Sequence, residues 1–413
     1  MADAAPTAVA GTAPAVPGQT AVTMGVEEEF LLVDETAGTP VARAADILRE
    51  AQTETSLPGG TQLKQELLAS QVEVTSGICT GLEELARQLS AGRQKLASAA
   101  QRTGLLLLST GTPVLAGPYG SLSAGARYEQ IAGIYAGVVA DYEACGCHVH
   151  VGVPDRETAV AVVNHLRPWL PSLLALSANS PFHRTRDTGY GSWRMVLQSR
   201  FPGSGVPPHQ PSLAAYDAQL ERLVDCGTLA DVRQSFWLAR PSACFPTVEM
   251  RAADAATTVE EAVLQAALSR GLVRTALTAL EEGREAKPVA DQVAAAAVWS
   301  ASRHGLRGPG VHPQLECRVP ALTLVHELLA HVSPALEETG DLQSVHRLLG
   351  DVVERGTGAE RQRAAAAGGP LAVVGRLARE TVRAPAGLAP YDSRAASRSA
   401  CAAPGKSVPW STA

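Results

Sequence analysis

Met24-Gly25-Val26-Glu27-Glu28-Glu29-Phe30-Leu31-Leu32-Val33 writes three acids into a run that otherwise reads as a buried strand. Strand side chains alternate faces, so Glu27 and Glu29 share one face while Val26, Glu28 and Phe30 take the other. The same two-residue spacing recurs downstream. Cys147-His148-Val149-His150-Val151-Gly152 offers His148 and His150 on one face, and Thr247-Val248-Glu249-Met250-Arg251 does the same for Glu249 and Arg251. Glu66-Leu67-Leu68-Ala69-Ser70-Gln71-Val72-Glu73-Val74 adds two more acids. A lone acidic triplet reads as a solvated edge; three strands with paired ligands read as a site.

If Glu27, Glu29, Glu66, Glu73 and Glu249 converge, neighbouring pairs repel by about 2–4 kcal/mol each at an effective dielectric of roughly 20. Several such pairs rival the ~5–15 kcal/mol stability of a whole domain. The acids must therefore be held apart, protonated, or neutralised by cations. Oxygen-rich clusters with an occasional imidazole suit Mg²⁺ or Mn²⁺ better than zinc. Hard cations beside an arginine suit nucleotide phosphates. Glu66 and Glu73 lie an odd number of residues apart. A regular strand cannot put both on one face, so a bulge or an intervening turn is required.

Six motifs in order carry a resemblance: Gly25-Val26-Glu27-Glu28-Glu29-Phe30, Gly146-Cys147-His148-Val149-His150-Val151-Gly152, Ser177-Ala178-Asn179-Ser180-Pro181-Phe182, Asp187-Thr188-Gly189-Tyr190-Gly191-Ser192-Trp193-Arg194, Thr247-Val248-Glu249-Met250-Arg251 and Gly356-Thr357-Gly358-Ala359-Glu360-Arg361-Gln362-Arg363. Together they resemble the type 2 glutamate-cysteine ligases, or carboxylate-amine ligases, of the glutamine synthetase superfamily, from about Val22 to Thr381. The resemblance implies an α+β, glutamine synthetase-like catalytic fold: a curved antiparallel sheet with helices on its convex side and ATP and divalent cations on its concave face. By motif position Glu29, Glu66 and Glu73 would surround one metal ion, and Glu27, His148 and Glu249 the other. Arg251 would meet the phosphates, His150 would lie beside the nucleotide or the acceptor carboxylate, Arg240 would lie beside the nucleotide, and Arg194 would clamp a carboxylate or phosphate. The implied reaction joins L-glutamate to L-cysteine at the expense of ATP through an acyl phosphate. The same chemistry on another carboxylate or amine, in secondary metabolism, is the alternative.

Composition narrows the classes. The chain has 413 residues, 46% of them hydrophobic, enough to bury a large core. Its net charge of -6 argues against nucleic acid or an anionic membrane as partner. No apolar run approaches the ~20 residues a bilayer demands. Seven scattered cysteines without a secretory signal read as free thiols in a reducing, cytoplasmic setting. Cys145 and Cys147 lack a second cysteine pair at zinc spacing and would point away from His148, so they read as small hydrophobes. A His148-Val149-His150 hydrolase lacks further His and Asp ligands, and a non-catalytic binding module sits poorly with a complete set of acids, histidines and arginines.

Residues 1–20 read as a disordered leader, 21–383 as one catalytic domain and 384–413 as a disordered tail. Helical periodicity runs from Gly81 toward Ala100, from Asp155 to Leu176 with a break at Pro168 and Pro171, and through most of the chain after Val259. Leu105–Leu108 reads as a core strand. The cluster Ser177–Ser180 either lines a site or caps a helix. Thr188–Arg194 reads as a glycine-loosened loop presenting Arg194. His326 and His331 show no ligand spacing. Exposed sheet edges leave homo-oligomerisation open.

Overall fold

In the computed structural model, which describes residues 23–52 and 56–386, the acidic stretch forms β1 (Met24–Asp34) in the middle of a seven-stranded sheet. The others are β2 (Gln62–Gln65), β3 (Gln71–Thr75), β4 (Leu105–Leu108), β5 (Gly146–Gly152), β6 (Ala239–Pro241) and β7 (Thr247–Asp254). They lie in the order β2-β3-β1-β5-β7-β6, with β4 pairing the second half of β1, and every pair is antiparallel. The expected reading frame of β1 holds: Met24, Val26 and Glu28 are buried, whereas Gly25, Glu27 and Glu29 are partly open. Residues 1–22 and 387–413, which include the leader and most of the tail, lie outside the described residues.

Helices cover the face of Val26, Val149 and Met250, and the apolar side chains between them form the largest core. They include α1 (Leu82–Gln101), α2 (Arg156–Leu166), α3 (Leu170–Ser177) and α4 (Val259–Glu281). The break between α2 and α3 falls where the prolines put it; Pro171 sits in the first turn of α3, where no intrahelical bond is lost. Asp155 caps α2 by accepting from the Thr158 amide at 2.7 Å. Thr258 caps α4, and Glu260 and Glu261 complement its dipole. Beyond β4 lie α5 (Gly358–Ala365) and α6 (Pro370–Thr381).

The chain after Val259 is mostly helical, as expected, with one short hairpin, Pro309–His312 with Cys317–Pro320. One local expectation needs correction. Arg194 is not on a surface loop: it lies in the first turn of a short helix, Trp193–Gln198, and is 2% exposed. Ser192 caps that helix, which turns the arginine inward. Cys145 and Cys147 are buried in apolar clusters, and no disulfide occurs among the described residues. Among those residues no helix is long and apolar enough to cross a membrane.

Candidate active site

Pairing register turns the sequence pattern into a site. Residues opposite one another in an antiparallel pair share a face. Glu27 lies opposite His148, Glu29 opposite Glu73, His150 opposite Glu249, and Glu249 opposite Arg240. All of them project from the face that the helices leave open. Glu66 joins them from the turn between β2 and β3, which resolves its odd spacing from Glu73.

The acids fall into two groups. Glu27, His150 and Glu249 bring one ligand atom each to within 4.8 Å of one another. Glu29, Glu66 and Glu73 form the second, and His148 stands between the two. Its Nδ1 is 3.7 Å from Glu27 and its Nε2 is 3.9 Å from Glu29. The imidazole within the first group is thus His150, with His148 the bridge. His148 Nε2 and His150 Nε2 are buried without a hydrogen-bond partner. Thr247 Oγ1 holds the other ring nitrogen of His150 at 2.9 Å, the kind of support that orients a ligating imidazole.

Charge state follows from neighbours. Burial pushes the Glu27 carboxyl up, but His148 and His150 outweigh it and hold it well below the ordinary carboxylate range. Glu249 is likewise held low: Arg240 and Arg251, with the histidines, overcome its burial. Glu66 goes the other way, raised by burial, then by the charge of Glu29 and by Glu73. Burial lowers His150, yet Glu27 and Glu249 win and raise it. The raised Glu66 marks a place where negative charge is unmet, whereas at Glu27 and Glu249 the histidines and arginines already supply positive charge. An oxygen-rich donor set with unpartnered imidazole nitrogens fits a hard divalent cation.

Three arginines surround the acids and are used differently. Arg240 donates from Nε to Glu249 at 2.8 Å and from Nη1 to the carbonyls of Arg233 and Ser235 at 3.2 and 3.0 Å, a braced geometry. Arg251 pairs with Glu249 through Nη1, but its Nε is buried with no partner. Arg194 has Nε and Nη1 buried without hydrogen bonds, although Nη2 donates to the Arg251 carbonyl at 3.3 Å. Arg194 Nη1 lies 3.9 Å from Asp254, too far for a hydrogen bond, so both arginines keep buried donors that could turn to an incoming anion.

Asp254 was not legible as a site residue, because alternation from Glu249 and Arg251 puts residue 253 on the open face and 254 behind it. A register shift between Cys147 and Val149 on β5 inserts an extra residue into β7. Past it Asp254 faces Gly146 on the open side. Bulges re-aim side chains in this way. Burial raises the Asp254 carboxyl, opposed by Arg194 and by hydrogen bonds from Ser180, Asn179 and Ser192. Asp254 therefore ties two motifs to the sheet: it accepts from the Asn179 amide at 2.9 Å and from the Ser180 and Ser192 hydroxyls at 2.7 Å each.

The Ser177–Ser180 cluster is neither a plain cap nor a ligand set, but a fastening. Asn179 Nδ2 donates to the carbonyls of Ser109 and Ala255, and Gln362 of α5 donates to Asn179 Oδ1 at 2.8 Å. A Cβ on Gly358 would lie 2.1 Å from that same oxygen, so glycine is required for α5 to dock.

Gly146 has a comparable constraint next to the acids. Its amide donates to Glu29 at 2.6 Å, and a Cβ there would lie 2.4 Å from Arg194 Nη2 and 3.0 Å from His148 Nε2. Gly146→Ala is expected to lower turnover by roughly tenfold or more through displacement of Arg194. Melting temperature should stay within a few degrees. Unchanged kcat and KM would show that Arg194 does not need its present position.

His183 of the adjoining hairpin Phe182–Asp187 offers a test by pH. Burial lowers its pKa; Asp141, 3.5 Å away, opposes this, while Arg184 and Arg200 add to it. A folded pKa below the unfolded value of about 6.5 means that the unfolded chain binds the proton more readily. The neutral histidine's contribution to stability is complete above that value and is lost as pH falls below it. His183→Asn should lose less stability than the wild type between about pH 7.5 and 5.5. Parallel melting curves at the two pH values decide the point.

Comparison with known proteins identifies the family. Residues 23–383 match the family described as "Glutamate-cysteine ligase family 2(GCS2)". A protein from Saccharopolyspora erythraea named "Putative glutamate--cysteine ligase 2-2" is 59% identical over 361 residues, covering 87% of this chain and 92% of its own. A "Putative glutamate--cysteine ligase 2-1" from Nocardia farcinica is 44% identical, covering 83% of this chain and 88% of its own. Among solved structures, glutamate–cysteine ligase from Francisella tularensis in complex with AMP superposes with a TM-score of 0.64 at 14% identity, covering 88% of this chain and 90% of that one. The ligase PafA, solved in complex with the ubiquitin-like protein Pup, gives 0.51 at 15% identity, covering 92% of this chain and 76% of that one. At such identities the likeness is one of fold, and the fold is the glutamine synthetase-like α+β architecture. The chain belongs to glutamate-cysteine ligase family 2.

Proposed function

We propose that this protein is an ATP-dependent carboxylate-amine ligase whose reaction takes place in one catalytic domain, residues 21–383, on the open face of the sheet. The observation that carries the reading is the pair of acid clusters around His148, flanked by arginines with unpartnered buried donors. Glu29, Glu66 and Glu73 would hold one Mg²⁺ or Mn²⁺, and Glu27, Glu249 and a histidine the other. Such ions lower the repulsion between an anionic carboxylate and the triphosphate. Arg251 and Arg194, each with a buried donor left without a hydrogen bond, would meet phosphate and carboxylate, and Arg240 would act on the nucleotide by holding Glu249 in place.

A cleft of about 310 Å³ opens beside Glu27 and His150, walled by Ile78 and Phe245. Those two side chains are 79% and 56% exposed, and Phe245 stands edge-on to His150 at 5.9 Å. Apolar walls left uncovered beside the acids suit a flat nucleotide base. In the reaction, a substrate carboxylate oxygen attacks the γ-phosphorus of ATP, and the β–γ bridging bond breaks to release ADP. The amine nitrogen then attacks the acyl carbon, expels phosphate and gives up a proton. L-Glutamate and L-cysteine, named by the relatives, are the first substrates to test.

The deciding measurement is ADP release with ATP, Mg²⁺ and L-glutamate, with and without L-cysteine, followed by a panel of other amines. Release that needs both amino acids establishes the glutamate–cysteine activity. Release with glutamate and another amine keeps the mechanism and changes the acceptor. No release with any pair defeats the assignment to these substrates.

A further inference from the structure

β2 lies at one end of the sheet, paired with β3. Its exposure alternates: Leu63 packs toward the core that holds Phe30 and Val72, while Gln62 and Lys64 are exposed. The pleat therefore sends Lys64 to the open face. Register sets it opposite Glu73, and Glu73 opposite Glu29. Its ammonium lies 3.6 Å from Glu73 Oε1. The same side chain borders the cleft of about 310 Å³, together with Glu27, His150 and Ile78. Lys64 thus adjoins both the second acid group and the cleft.

The two acid groups are balanced in different ways. Glu249 is held by two arginines, one of them braced by backbone carbonyls. Among the described residues no arginine pairs with Glu29, Glu66 or Glu73; apart from His148, the cation beside them is Lys64. Glu73 is 9% exposed and keeps Thr75 as a donor at 2.6 Å, whereas Lys64 is 44% exposed on a flexible stem. An exposed lysine–carboxylate pair is worth ~0–1 kcal/mol. A divalent ion brings twice the charge to carboxylate oxygens at about 2.0–2.1 Å, so it would displace the ammonium. The freed lysine would still stand over the cleft, where a triphosphate suits its point charge. A lysine on an edge strand also discourages pairing with another sheet, but that role needs neither a carboxylate partner nor a cleft.

We propose, resting on the ligase reading above, that Lys64 is an exchangeable counter-ion: it neutralises Glu73 before a divalent cation binds, and turns to the nucleotide's phosphates once the cation takes Glu73. The full chain and its Lys64→Gln and Lys64→Arg variants are titrated with Mn²⁺ without nucleotide, following free Mn²⁺ by electron paramagnetic resonance. They are then titrated calorimetrically, at saturating Mg²⁺, with the non-hydrolysable imido analogue of ATP. Lys64→Gln is expected to bind Mn²⁺ about threefold tighter, having lost the competing ammonium, and the analogue roughly tenfold more weakly. Lys64→Arg keeps the charge and should shift both less. Position 64 is exposed, and equal melting temperatures show that the variants fold. On the wild type, acetylation of Lys64 by acetic anhydride, read by peptide mass, should speed up when Mn²⁺ alone is added and slow when the analogue follows. Mn²⁺ affinity unchanged or lowered in Lys64→Gln, analogue binding unchanged, or a labelling rate indifferent to Mn²⁺ would each overturn the role of Lys64 and leave the ligase reading standing. A wild type that binds neither Mn²⁺ nor the analogue would overturn both.

Discussion

Glu29→Gln is expected to reduce turnover by at least ~10²-fold while leaving the metal-free protein as stable as the wild type or more so. The amide keeps the shape of the side chain and can still accept from Gly146, which now donates to Glu29 at 2.6 Å. What it removes is one negative charge from the group in which Glu29 and Glu73 already push the Glu66 carboxyl upward. A position optimised for folding would gain nothing from that repulsion, at about 1 kcal/mol or more per close pair. A position optimised for holding cations needs it. The two readouts must therefore move apart: kcat down, melting temperature level or raised by a degree or two. A variant with turnover within tenfold of the wild type would remove Glu29 from the site. One that lost activity only because it unfolded would leave the acid cluster without its functional reading. Glu73→Gln should lose turnover likewise and still accept from Thr75, but it gives up the pairing with Lys64 at 3.6 Å, so its melting temperature should gain less than that of Glu29→Gln.

Much of this arrangement was legible because a strand's period of two is rigid. Glu27 with Glu29, His148 with His150, and Glu249 with Arg251 each fall on one face for no reason beyond the pleat. Which residue meets which is a matter of register, and register is set by long-range pairing that one sequence does not display. The resemblance grouped His148 with Glu27 and Glu249. The geometry places His150 in that trio and His148 between the trio and the second acid group. Asp254 was hidden for a sharper reason: the bulge opposite His148 shifts the alternation by one residue, and nothing in Ala252-Ala253-Asp254 announces it. Arg194 was assigned to a loop because Gly189 and Gly191 suggested one, whereas the Ser192 cap starts a helix that turns it inward. The Asn179–Gln362 fastening joins segments 183 residues apart, a distance over which local patterns carry no information.

The third acid of the triplet separates stability from chemistry. Glu28 projects to the helical side, where it and Arg93 of α1 are each 1% exposed. Arg93 donates to it from Nε at 2.9 Å and from Nη2 at 2.5 Å. The remaining donors reach the carbonyls of Ala256, Thr257 and Thr381, at 2.8, 3.1 and 3.1 Å. One guanidinium thus gathers β1, the entry to α4 and the end of α6. Removing the carboxylate leaves a fully buried cation unbalanced, and Glu28→Leu is expected to cost about 3–5 kcal/mol. For a chain of this size that is a fall in melting temperature of roughly 5 °C or more. Glu28→Leu/Arg93→Met removes the orphaned charge as well and should recover part of the loss. Recovery stays incomplete because three backbone carbonyls lose their donor. The sign of the difference between single and double variants is the informative quantity. A Glu28→Leu protein melting within about 2 °C of the wild type, or a double variant no better than the single, would mean that α1 is held by apolar packing alone. A fall with partial rescue, set beside an undiminished melting temperature for Glu29→Gln, would show adjacent residues of one strand serving opposite purposes through nothing more than the face each side chain takes.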